Sequence, residues 1–255
     1  WCQLFLQTRC GSKRGVTPFA SRDSFLDWAG FLPAALGVRV DAAIPSGGGE
    51  YRDFRWQVVL PPMSGREPLF CLRRHCFGEL TLEHFPLGAG LRQQILKSVA
   101  AGGTLVFFGA TGAGKTSLLM AVIKEVALNL RVLILEEVAE LPCLSDRWIR
   151  LCAVRPNLTQ QGGYDLPSLV PVALRLNPEM LVVGEVRGKE ARVLFDAGCL
   201  EQGGLLTTAH GSDAATVMAR LRHLGQPSRQ EEELFLERTL WVHVGAQTIS
   251  CQKGL

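Results

Sequence analysis

Residues 109–116, Gly-Ala-Thr-Gly-Ala-Gly-Lys-Thr, follow an apolar run and precede a helix-forming stretch. Glycines at 109, 112 and 114 let the backbone turn its N–H groups inward around a polyphosphate, and the helix that follows points its positive dipole end at the same anion. In this pattern Lys115 sits on the β- and γ-phosphates, and Thr116 offers its hydroxyl to a phosphate-bound Mg2+ ion. The nucleotide-contacting span takes in Gly109, Ala110, Thr111, Gly112, Ala113, Gly114 and Ser117 as well.

A phosphate loop needs acidic partners, because magnesium has to be held and a water oriented for in-line attack. Glu185 follows the apolar run Leu181–Val183, and Glu136 with Glu137 follows Val132–Leu135. An ionised group beside a buried strand end is hard to explain without a partner. Adjacent strand-end residues point in different directions, so one of Glu136 and Glu137 is expected to face the nucleotide, with Glu136 ahead. Glu140, three residues beyond the pair, reads either as a supporting partner or as a solvated loop acid. His210 ends the run Leu205–Ala209; a lone histidine is a weak signal, and its place at a strand end raises it. The run Glu231-Glu232-Glu233 reads as an exposed helix face.

These residues need a scaffold that brings them together. Short apolar strands (Leu105–Phe108, Val132–Leu135, Leu181–Val183, Leu205–Ala209) alternate with helical stretches, the first of them predicted over Ser117–Asn129, which is the pattern of a mostly parallel sheet covered on both faces. In such a sheet all strand C-termini lie on one edge, where ligands bind. Residues 1–78 differ, with predicted strands at Gly37–Ala43, Phe54–Leu60 and Leu69–Arg74 separated by turn segments 45–49 and 61–65. We expect a small α+β domain over 1–78, a junction rich in Pro86, Gly88 and Gly90, and an α/β domain over 79–255.

Composition narrows the function class. The 255 residues are 47% hydrophobic, enough to fill a real core. No apolar run approaches the roughly 20 residues of a membrane helix, and residues 1–9 lack a signal-peptide layout, so a soluble intracellular chain is expected. The net charge of +3 is scattered along the chain, which does not imply nucleic acid. Eight cysteines with no C-x-x-C pair signal neither zinc nor redox chemistry and read as reduced core thiols. There is no Asn-Lys-x-Asp guanine motif.

Four boxes in order carry a resemblance: the phosphate loop, Leu135–Glu140, Asn177–Gly188 and Leu206–His210. Together they resemble the secretion ATPase superfamily of type II and type IV secretion and pilus assembly, with most likeness to the tight-adherence (Flp) pilus and conjugal-transfer-associated group. The resemblance implies a RecA-like P-loop NTPase core that hydrolyses ATP with Mg2+. It implies a hexamer with the nucleotide between two domains, on the inner face of the cell membrane against platform proteins, and no direct nucleic-acid binding. Carried over by position, Lys115 and Thr116 match the Walker A pair, Glu185 the Walker B glutamate held to be the catalytic base, Glu136 and Glu137 the Asp box, and His210 the His box. Arg155, Arg175 and Arg187 fall where the family carries arginines near the nucleotide or subunit boundary, and Arg73 and Arg74 where its N-terminal domain reaches over the nucleotide. Two departures stand out: Glu137 replaces the usual aspartate, and Gln202 an earlier histidine. The type II tetracysteine zinc insert is absent. A DNA-translocating motor and a non-catalytic nucleotide-binding scaffold are the alternatives.

Overall fold

The computed structural model of the chain describes residues 4–8, 11–52, 54–74, 80–154, 162–188, 190–198, 204–245 and 247–254. It divides into two compact units, residues 1–75 and 76–255. The expected division between 78 and 79 falls in 75–79, outside the described residues, as do Arg155 and Gln202.

In the first unit a hairpin of β1 (Leu4–Thr8) and β2 (Gly11–Gly15) precedes α1 (Arg22–Ala35), which opens on a capping box in which Ser21 and Ser24 satisfy each other's amides. An antiparallel sheet follows in the order β3 (Ser46–Tyr51), β4 (Phe54–Val59), β5 (Leu69–Arg74). Ala29 of α1 is fully buried, as is Val58 of β4, and Trp28 meets Phe70 edge-on at 4.6 Å between ring centroids. Two expectations are corrected here. Segment 37–43 is irregular rather than a strand, and the glycine-rich turn predicted at 45–49 is the start of β3. A Cβ on Gly47 would lie 2.4 Å from the Val40 side chain, and one on Gly48 2.4 Å from that of Gln57. The glycines mark close approach inside a sheet, a role that composition alone reads as a turn.

The second unit is a seven-stranded sheet in the order β12 (Ile249–Lys253), β11 (Thr239–Val244), β6 (Thr104–Gly109), β10 (Gly204–His210), β9 (Met180–Val186), β7 (Val132–Glu136), β8 (Trp148–Cys152). Every neighbouring pair is parallel except β11 with β12. Helices cover both faces, so central strands are apolar on both sides. Val106 and Phe108 of β6 join a core with α4 (Leu166–Arg175), α5 (Ala191–Gly198), α6 (Ala214–Gly225) and α7 (Arg229–Arg238). Leu105 and Phe107 join the opposite core with α2 (Ala89–Ala100) and α3 (Lys115–Val126). Each fully buried Leu, Ile or Phe contributes about 1.5–3 kcal/mol, so burial on both faces stabilises this sheet. Helix α3 starts two residues before the predicted Ser117, because Gly114 in the left-handed region ends the loop there.

Two further expectations change. Glu231 and Glu232 are half-buried ties rather than a solvated face: Arg192 of α5 donates to Glu231, and Arg222 of α6 to Glu232. Cys71 and Cys143 are exposed and Cys152 and Cys251 are half-buried, so none of these four is a fully buried core thiol; the Cys251 thiol donates to Gln94 Oε1 at 2.9 Å. Cys2, Cys10, Cys76 and Cys199 lie outside the described residues.

Candidate functional site

The phosphate loop runs from the last residue of β6 to the first of α3. Gly109 (φ 150°), Gly112 (φ 77°) and Gly114 (φ 94°) all have positive φ, conformations that glycine alone adopts freely. Gly109 is also demanded sterically, since a Cβ there would lie 2.2 Å from the Val244 carbonyl oxygen. Helix α3 has no side-chain cap at its N-terminus, so its first-turn amides remain turned to the loop. The Lys115 Nζ donates to the Gly109 and Ala110 carbonyls at 3.0 and 2.8 Å. Burial pushes the ammonium below its ordinary pKa, Glu185 opposes that and Arg187 adds to it. Loop, uncapped helix and buried lysine together suit a polyphosphate, and the half-buried Thr116 beside Lys115 suits its magnesium.

Glu185 reaches this side of the sheet through a β-bulge. In the β9–β10 ladder Thr207 pairs with Val183, but Thr208 pairs with Glu185, so Gly184 is skipped. The Thr207 and Thr208 hydroxyls both donate to the Gly184 carbonyl at 3.3 Å. A shift of one residue turns every later side chain to the opposite face. Accordingly Val183 and Val186 both belong to the core under α4 to α7. Glu185 then shares a face with Thr208 and its partner Phe107, the face covered by α3. Without the bulge Glu185 would point away from Lys115. Arg187 Nη2 donates to Glu185 Oε2. That hydrogen bond raises the Arg187 pKa, helped by the charges of Glu185, Glu137 and Glu190.

The acidic pair separates. Glu136 is 4% exposed, and its Oε1 accepts from the Glu140 and Leu141 amides, both at 3.1 Å. Its Oε2 stands 3.5 Å from Arg150 Nε. Glu137 is exposed and contributes to the field at Arg187. The expectation that Glu136 faces the ligand thus fits less well than its alternative, because the Glu136 carboxylate is occupied in building the loop. Glu140 is half-buried in that loop.

His210 is exposed at the end of β10 and pairs in register with Gly109, the first residue of the phosphate loop. Gly109, His210, Glu185 and Glu136 therefore line one sheet edge, as parallel topology requires. Arg175 does not join them: it is exposed on the last turn of α4, which returns the chain to the opposite edge just before β9 begins. Arg73 and Arg74 are exposed at the end of β5 in the first unit.

Sequence reasoning missed Arg150, Glu190 and the two threonines. Glu190 is 6% exposed, and its Oε1 accepts from the Arg187 and Gly188 amides, shaping the turn after β9. Its signal was faint, an acid just before a helical stretch. Arg150 sits mid-strand, and nothing in its spacing points to the site. Among the described residues no group of three or more His, Cys, Asp and Glu side chains could hold a metal ion.

Comparison with known proteins agrees with this architecture. A profile of the type II/IV secretion system protein family matches residues 53–249. A Mycobacterium tuberculosis chain provisionally named a conjugal transfer protein is 31% identical over 229 residues, 84% of this chain and 64% of that one. The conjugal transfer protein TrbB of Rhizobium radiobacter is 28% identical over 200 residues, 75% of this chain and 58% of its own. The chain thus spans less than two thirds of the length of these relatives. The Legionella pneumophila ATPase DotB superposes with a TM-score of 0.61 at 19% identity, over 97% of this chain and 72% of that one, which establishes the RecA-like fold. With its phosphate loop, acidic strand ends and strand-end histidine set on this fold, the chain belongs to the type II/IV secretion system protein family.

Proposed function

We propose that the chain is an ATP-hydrolysing motor subunit of a secretion or pilus-assembly machine. It would work within a homo-oligomeric ring, a hexamer by family resemblance, on the cytoplasmic face of the membrane against platform proteins. No helix among the described residues is long and apolar enough to cross a membrane, which is compatible with that placement. One observation carries the reading: the β9 bulge puts Glu185 on the face of α3, whose first residue is the buried Lys115. Lys115 exchanges its two loop carbonyls for phosphate oxygens, and loop amides add to the field. Glu185 orients the attacking water and takes its proton as the water oxygen bonds to the γ-phosphorus and the bond to the β–γ bridging oxygen breaks. Magnesium, bound with the nucleotide, supplies charge neutralisation across the phosphates, and Thr116 is the side chain that would hold it. Arg187 sets the orientation of Glu185, and the charge of Glu137 acts on Arg187. His210, in register with Gly109, reads the presence of the γ-phosphate. The roles of Arg73 and Arg74 toward nucleotide rest on the resemblance alone.

The direct test of binding is thermal. At about 100-fold excess over its dissociation constant Mg-ATP stabilises a binding fold by roughly 2.7 kcal/mol. Lys115→Ala should abolish that stabilisation; an undiminished melting shift in the variant would contradict the reading. Binding without turnover in the unmutated protein would point instead to a nucleotide-binding scaffold.

A further inference from the structure

We infer that Arg150 is a positioning residue, which fixes the acidic loop after β7 and so presents Glu137 to the Arg187–Glu185 pair; this rests on the ATPase reading above. Leu141 is fixed at three points. Its side chain, 1% exposed, is part of the core under α3. Its amide donates to Glu136 Oε1 at 3.1 Å, and its carbonyl accepts from Arg150 Nη2. Arg150 lies opposite Ile134 in the β7–β8 register, on the same face as Glu136, and brings Nε to 3.5 Å from Glu136 Oε2. One charged pair therefore grips the N–H and the C=O of a single residue. The loop 137–140 is strung between two fixed ends, and Glu137 is the exposed acid on it.

The chemistry explains why arginine is required. A carboxylate as buried as Glu136 is tolerable only with N–H donors and a counter-charge close by. The planar guanidinium fork can serve a carboxylate and a carbonyl at once, whereas an ammonium is a point charge on a flexible stem. Arg150 acts through Glu136 and Leu141 and contacts none of the groups assigned to the reaction.

The test combines steady-state ATP hydrolysis with equilibrium binding of a non-hydrolysable ATP analogue for the unmutated protein, Arg150→Lys, Arg150→Gln, Glu137→Gln and the double variant Arg150→Lys/Glu137→Gln. Arg150→Lys keeps a charge beside Glu136 and loses the fork. Its kcat should fall about tenfold while analogue affinity stays within about threefold, since a displaced group costs rate before binding. Arg150→Gln should lose more. If Arg150 acts through Glu137, the double variant should turn over within about twofold of Glu137→Gln alone, because the two changes disable one element. An unchanged kcat in folded Arg150→Lys, affinity lost in step with kcat, or fully additive losses in the double variant would overturn the proposal. Should Arg150→Gln fail to fold, Arg150→Lys and the double variant decide. Absence of turnover in the unmutated protein would sink the ATPase reading and this proposal with it, whereas normal turnover there with an unaffected Arg150→Lys sinks the proposal alone.

Discussion

Thr208 and Glu185 face each other across the β9–β10 ladder only because Gly184 is skipped, and the hydroxyl of Thr208 donates to the carbonyl of that skipped residue at 3.3 Å. The bulge decides which side of the sheet the acid occupies.

Thr208→Val should therefore affect turnover more than stability. Losing one hydroxyl donor to a half-buried carbonyl costs about 0.5–1.5 kcal/mol, and the Thr207 hydroxyl remains on the same oxygen. A bulge that relaxes even partly moves Glu185, and misplacement by about 1 Å can cost about 100-fold in rate. The expected result is a melting temperature lowered by a few degrees with kcat reduced tenfold or more on this argument, about what a displaced base gives. Turnover that falls only in proportion to folded protein would show that the hydroxyl serves the fold and not the acid.

The chemistry of this site was more legible in the sequence than its geometry. The loop Gly109–Thr116 and the four strand ends follow from residue type and apolar runs, since a strand buried on both faces leaves an unmistakable signature, and parallel topology then forces the ends together. The bulge left no such signature: a period of two places Glu185 with Val183, and only pairing with β10 reveals the shift. Glu136 and Glu137 could not be separated for a related reason, because the partners that claim Glu136 are two loop amides and an arginine on another strand. In the first unit, glycine meant close approach at Gly47 and Gly48, and contacts of that kind depend on the neighbours, which no local pattern encodes.

His210 stands beside the phosphate loop in register with Gly109, exposed at the strand end. A group placed to sense the γ-phosphate should matter only when that phosphate is present. His210→Ala should leave ADP affinity within about threefold, less than roughly 0.7 kcal/mol, while impairing ATP turnover. Binding of ADP and of a non-hydrolysable analogue, measured beside turnover, checks this; normal turnover would make the histidine a structural residue.

The ties between α5 and α7 carry a pH dependence. The Arg192 hydrogen bond, followed by those from Ser228, lowers the Glu231 pKa from 4.5 to about 2. A carboxylate with a depressed folded-state pKa adds stability that is fully present above its unfolded value and is lost as pH falls through the folded value. The melting temperature of Arg192→Ala should lie below that of the unmutated protein above pH 4.5, and the gap should close as pH falls toward 2. A gap that stays constant over that window would mean that the pair adds no linked stability.

The central claim is that Glu185, delivered to the α3 face, makes a phosphate site into a hydrolase. Steady-state ATP hydrolysis by the purified protein, compared with Glu185→Gln under the same conditions and with analogue affinity measured for both, tests it most directly. The account predicts that the unmutated protein turns over ATP, and that Glu185→Gln keeps its nucleotide affinity but loses most of that turnover, because the amide retains the shape of the carboxylate and cannot accept the proton. Equal turnover in the two proteins would contradict it.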